Sequence, residues 1–161
     1  MAHQPIKRNP HLIPISKEHH GTLLFCWKLK QGLAKNIDSS RIIKYIHWYW
    51  QNHIIPHFET EEKYLFVNEG DKMVLQALQE HQSIKESILS LDNMDEVEIR
   101  HTIEKISQLV NDHTRYEERE LFPYLEETLS ELELEAIGKA LQKEEHTADE
   151  DYNDEFWTVK P

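Results

Sequence analysis

One ten-residue pattern occurs twice in the sequence. His57-Phe-Glu-Thr-Glu61-Glu62-Lys-Tyr-Leu65-Phe66 and His113-Thr-Arg-Tyr-Glu117-Glu118-Arg-Glu-Leu121-Phe122 agree at His, at both Glu, at Leu and at Phe, 56 residues apart. In an α-helix a step of four residues turns about 400°, which stacks His57 on Glu61 and His113 on Glu117. An imidazole and a carboxylate stacked in this way can grip one cation, and a thiolate-free donor set suits iron, manganese or zinc rather than an iron–sulfur cluster. A lone pair of this kind on an exposed helix is ordinarily a surface contact worth a few tenths of a kcal/mol. That explanation does not account for two copies with the same flanks. Further histidines precede each copy. His81 lies three residues from both Leu78 and Ile84, inside an apolar stripe, and so points inward. His19 and His20 stand just before Leu23; of the two, His20 has an apolar residue three positions on, as His81 does, and is the preferred inward residue.

These residues need long helices to present them. Few glycines and prolines, with many Leu, Ile, Glu, Lys and Gln, favour helices over the frequent turns of a sandwich or barrel. A leader containing Pro5, Pro10 and Pro14 precedes a first helix expected from about Ile15 to Ala34. Asp38 and Ser39 are suitable N-caps for a second, from Ser40 to about Val67, with Gly70 as its stop and Pro56 predicting a kink near Asn52. Asp71 caps a third helix, whose Val74, Leu75, Leu78, Ile84, Ile88 and Leu91 form an amphipathic stripe. Asp95 and Glu98 have capping-box spacing and open a fourth, running to Leu125; Ser130 and Glu133 repeat the signal for a shorter fifth, from Glu131 to about Glu145. The acidic segment from Asp149 to Glu155 reads as a tail that Tyr152, Phe156 and Trp157 dock on the rest. The expected architecture is all-α: an up-down-up-down four-helix bundle with a short additional C-terminal helix. Residues 1–161 are expected to form a single domain, with the core at about 15–127 and the C-terminal helix and tail at 130–161.

Composition narrows the function. With 18 basic and 30 acidic residues the net charge is −12, which repels phosphate backbones and anionic membranes and argues against nucleic-acid binding. No apolar run reaches the roughly 18 residues of a membrane span, no signal-peptide core follows Met1, and a single cysteine, Cys26, fits a reducing compartment; a cytoplasmic location is expected. Cys26 reads as a small buried hydrophobe.

The doubled motif, with Glu18-His19-His20 and Glu80-His81 opening the two halves, resembles the hemerythrin-like HHE cation-binding family over about Ile15 to Glu127. The resemblance implies a four-helix bundle with a non-haem di-iron centre. Its ligands, carried over position by position, would be His20 or His19, His57, Glu61, His81, His113 and Glu117, with Glu61 and Glu117 bridging. Two positions depart from the oxygen-carrying members. Lys85 stands where they place a second third-helix His, and Glu118 stands where they use Asp, so that Glu117 is the better match. Four His and two bridging Glu fill about eight of the about twelve positions of two octahedral ions. The remainder would take a small ligand such as dioxygen, nitric oxide or peroxide. The expected role is binding or sensing of that ligand. The alternative is an iron-dependent enzyme-like role, in peroxide or nitric-oxide chemistry or in iron delivery for cluster repair.

Several residues are assigned bland roles. His53 reads as a boundary histidine, and Trp48, Tyr49 and Trp50 as packing. Glu118 with Arg119 and Glu120 reads as a solvated, ion-paired face. His3, His11, His47, His101 and His146 read as surface residues. The ordinary imidazole pKa predicts loss of metal as pH falls through about 6.

Overall fold

A computed structural model describes residues 7–144 and 151–160. Pro5, His3, His146, the end of the fifth helix at Glu145 and the start of the acidic tail lie outside them. Among the described residues there are helices and no strands: α1 (Ile13–Ser16), α2 (Glu18–Ala34), α3 (Ser39–Tyr49), α4 (Ile55–Tyr64), α5 (Lys72–Leu89), α6 (Glu96–Tyr116), α7 (Phe122–Thr128) and α8 (Glu131–Lys143). None of these helices is long and apolar enough to cross a membrane. The start signals act as the side chains suggest. Asp38, Asp71 and Asp95 each accept a backbone N–H of the first turn, and Ser130 with Glu133 closes a reciprocal capping box.

The four long helices of the bundle are α2, the α3–α4 run, α5 and the α6–α7 run. Two of them contain a wider π-helical turn, Trp50–Ile54 and Glu117–Leu121. Each turn lies immediately before a proline, Pro56 or Pro123, in the following segment. Proline has no N–H to return to the carbonyl four residues back, so the preceding residue bonds one residue further: Ile55 N–H reaches Trp50 O and Phe122 N–H reaches Glu117 O. The expected kink at Asn52 is therefore a π-turn centred on that residue. The second helix stops at Tyr64 rather than Val67, because the N–H groups of Leu65 and Phe66 both turn back to Glu61 O, at 2.8 and 2.9 Å, and swing their side chains inward.

The interior is layered. One apolar core is built from Phe25, Leu29, Ile42, Tyr45, Ile84, Ile88, Ile103 and Ile106, and Phe156 and Trp157 of the C-terminal segment close it. A second, made from Leu12, Ile15, Leu65, Phe66, Val74, Leu121, Phe122 and Leu125, is closed by Leu134 and Leu141 of α8. Along α5 and α6 the order of buried residues places His81 and His113 between the two cores. The docking of the C-terminal aromatics is tight: a Cβ placed on Gly32 would stand 2.9 Å from both the Phe156 ring and Ile42 Cδ1. Phe156 is fully buried. Phe156→Ala is therefore expected to lower stability by about 3–5 kcal/mol in urea unfolding. A loss below about 1 kcal/mol would show that the C-terminal segment is not part of this core.

Candidate metal centre

Six polar side chains occupy the layer between the apolar cores. Glu61 and Glu117 have no exposed surface, and His19, His57, His81 and His113 are buried around them. The four imidazoles come as two pairs, and each carboxylate spans both. Glu61 Oε2 lies 3.3 Å from His57 Nε2, while its Oε1 lies 3.2 Å from His81 Nε2. Glu117 Oε1 lies 2.9 Å from His19 Nε2, while its Oε2 lies 3.0 Å from His113 Nε2. The donor atoms of His19, His57, Glu61 and Glu117 all fall within 4.8 Å of one another, and so do those of Glu61, His81, His113 and Glu117. The structure thus holds two four-donor groups that share two carboxylates.

Hydrogen bonding alone does not satisfy this layer. Both oxygens of Glu61, Oε2 of Glu117 and the Nε2 atoms of His81 and His113 are buried without a hydrogen-bond partner. Buried polar atoms are nearly always paired, and five unpaired nitrogen and oxygen atoms gathered in one layer fit bound cations rather than a defect. In the other group, His19 Nε2 and His57 Nε2 face each other at 3.2 Å. Two nitrogens each about 2.1 Å from one ion, at a right angle, stand about 3 Å apart.

Behind the imidazoles lies a second set of carboxylates. His57 Nδ1–H donates to Glu18 at 2.8 Å, His81 to Glu62 at 2.8 Å, His113 to Glu80 at 2.7 Å and His19 to Glu118 at 2.9 Å. The pattern is a closed ring. The α2 carboxylate supports the α4 imidazole, α4 supports α5, α5 supports α6, and Glu118 just after α6 supports α2. Each bond fixes the tautomer with Nδ1 protonated and turns Nε2 inward. The second Glu of the repeated motif and the Glu of each Glu-His pair thereby acquire the same task.

The surrounding charges set the protonation. Burial disfavours the imidazolium form of His19, but Glu117 and Glu118 outweigh it and raise the pKa to about 9. At His57 burial is likewise overcome, by Glu61 and Glu18, giving about 10; at His81 it is overcome by Glu117, Glu61 and Glu62, giving about 11. His113 shifts upward for the same reason, beside Glu117 and Glu80. Against its own burial, Glu117 is held well below the usual carboxylate range by His113 and His19. The nearby carboxylates thus favour the protonated imidazoles against their burial.

Two expectations from sequence need correction. His19, not His20, joins the cluster, and His20 is exposed. The buried residues of α2 are His19, Phe25, Cys26, Lys28, Leu29 and Gly32, with Leu23 only half-buried, so the step from His20 to Leu23 follows the wrong face. The spacing from His19 through Cys26 and Leu29 carries the usable signal. Glu118 is not on a solvated face: besides His19 it accepts from Ser16 Oγ at 2.8 Å, and Arg8, 3.8 Å away, also bonds Glu126 at 2.9 Å. His53 stays outside the cluster, stacked on Tyr49 with ring centroids 4.8 Å apart. Cys26 is buried, and that burial pushes its thiol up to about 12.

The family model for the hemerythrin HHE cation binding domain matches residues 14–125. No curated protein and no solved structure matches the chain.

The geometry separates three kinds of substitution in a titration with a divalent transition metal. Glu118→Gln keeps an acceptor but loses its charge, and should weaken binding by about 10–100-fold. His19→Gln should weaken it by more than that, and His20→Gln should leave it unchanged within about twofold. Equal losses at His19 and His20 would contradict the assigned facing of α2.

Proposed function

The chain belongs to the hemerythrin HHE cation binding domain family, and on that premise we propose that the buried layer is a non-haem di-iron centre that binds or senses a small ligand such as dioxygen, nitric oxide or peroxide. His19 and His57 hold one ion, His81 and His113 the other, and Glu61 and Glu117 bridge them. The observation that carries this reading is the arrangement of the two inner carboxylates, each with one oxygen toward each imidazole pair. Bound iron supplies redox activity and open coordination positions.

The protein supplies orientation, counter-charge and a dry surrounding. Divalent ions bring positive charge into the layer as imidazole protons leave it, so loading exchanges protons for metal. Next to the layer is a cavity of about 10 Å³, lined by His19, His57, His113, Ile54, Phe58 and Val110. That is at the lower limit for one water-sized molecule. The hydroxyls of Thr22 and Thr114, which also line it, donate to Glu18 O and Val110 O within their own helices. The cavity therefore favours a small, weakly polar ligand over a larger or anionic one, and this supports the proposed class.

Anaerobic titration of the metal-free chain should end at about two irons per chain. An endpoint below one would overturn the di-iron reading. Proton release is a separate check. The imidazolium pairs of the metal-free form stabilise it fully below the ordinary imidazole pKa near 6.5, and this contribution is lost as pH rises through about 9 to 11. Iron replaces the Nε2 protons, so its affinity should climb with pH across neutrality and up to about 9, rather than levelling off just above pH 6. Calorimetry at pH 7 in buffers of different ionisation enthalpy should show net proton release of more than about one proton per chain. Release of fewer than about one proton per chain would contradict the assignment of these four ligands.

A further inference from the structure

The four supporting carboxylates differ in their access to water. The side chains of Glu18, Glu118 and Glu80 are 14%, 29% and 30% exposed, whereas Glu62 is 48% exposed. Glu118 is additionally held by Ser16, and Glu80 accepts from Gln76 at 3.0 Å. Glu62 opens into a surface groove between α4 and α5 that Glu59 and Glu69 also line, with Lys85 on its α5 side. Glu59 and Glu62 are three residues apart on one helix face. The inner end of the groove is His81, which is 4% exposed. On the far side of that ring are His81 Nε2 and both oxygens of Glu61, all buried and without hydrogen-bond partners. An acidic surface thus leads, through one imidazole, to unpartnered buried metal donors.

The enclosed cavity beside the layer is apolar apart from its imidazoles and threonines, and Phe58 lines both it and the groove. A hydrated divalent cation cannot cross an apolar wall without losing its shell, but it can exchange water for carboxylate oxygens one at a time. We propose that the groove between α4 and α5 is the loading path for the metal: Glu59 and Glu69 collect a hydrated divalent cation, and Glu62 passes it inward to Glu61 and His81. Among the described residues Lys85 is the one lysine or arginine lining that groove, and its charge opposes the cation. Along the path metal–water bonds are exchanged for metal–carboxylate oxygen bonds, and at its end metal–nitrogen bonds form as any Nε2–H bonds break and their protons pass to solvent.

This inference rests on the di-iron reading, and its test separates the two. Metal-free full-length protein is mixed anaerobically with Fe²⁺, the rate is followed by quenching of tryptophan fluorescence, and metal content is measured at the end. Glu59→Gln with Glu69→Gln should slow loading about tenfold, and Lys85→Gln should speed it severalfold, because local charge of this kind alters cation capture by factors of about 10 or more. Both variants should still reach the wild-type iron content. Glu104→Gln with Glu127→Gln, an equal charge change on exposed residues that do not line the groove, should leave the rate within about twofold. Equal slowing by the two double variants would overturn the path and leave only a general effect of net charge. An unchanged rate in the groove variants, with full iron content, would overturn the path alone. Failure of every protein, wild type included, to take up iron would overturn the di-iron reading and the path with it.

Discussion

Two carboxylates, Glu61 and Glu117, are buried side by side with no access to water, and the rest of the molecule is arranged around that fact. Unpaired, they would be held together only at a prohibitive desolvation penalty. The chain meets the problem by turning the Nε2 atoms of four imidazoles toward them, one pair on each side. Those atoms can share protons with the carboxylates or, on the proposed reading, ligate cations, and the same arrangement of side chains suits either.

The outer carboxylates make that geometry specific. An imidazole free to rotate would present either nitrogen to the centre, but an Nδ1–H bonded to Glu18, Glu62, Glu80 or Glu118 can only offer Nε2. Since each of these bonds joins neighbouring helices, the ring also ties the four long helical segments together at the level where the apolar cores are interrupted. The hydrophobic cores on either side do the complementary work of excluding water from the layer. The two sides are not alike, however. Toward α2 and α6 the layer borders a cavity with room for one small molecule, and toward α5 it borders an acidic groove.

The repeated His-x3-Glu-Glu pattern was readable because a helix places residues four apart on one face, and His81 because its neighbours at three residues on either side are apolar. The choice between His19 and His20 was not readable by the same rule. In α2 apolar residues surround most of the helix, Leu23, Leu24, Phe25, Cys26 and Trp27 in succession, so a single apolar neighbour does not identify the inward face. Glu62 and Glu118 escaped for a different reason. Their partners lie on other helices, and no local periodicity reports a contact between chain segments 19 or 99 residues apart. Pro56 announced a kink, which the structure forms as a π-turn, and Pro123 imposes a second π-turn, Glu117–Leu121, by the same missing N–H. The upward shift of the imidazole pKa values comes first from the inner carboxylates Glu61 and Glu117 and then from the outer ones, which is why an ordinary histidine value understates the pH range over which protons compete with metal.

The most direct test of the account is the position of the metal itself. Anomalous diffraction at the iron edge, from crystals of the anaerobically loaded chain, should show two peaks about 3.5–4 Å apart, one beside Nε2 of His19 and His57 and the other beside Nε2 of His81 and His113, with Glu61 and Glu117 between them. A single peak, or peaks away from this layer, would contradict the claim that the two inner carboxylates exist to bridge a pair of ions.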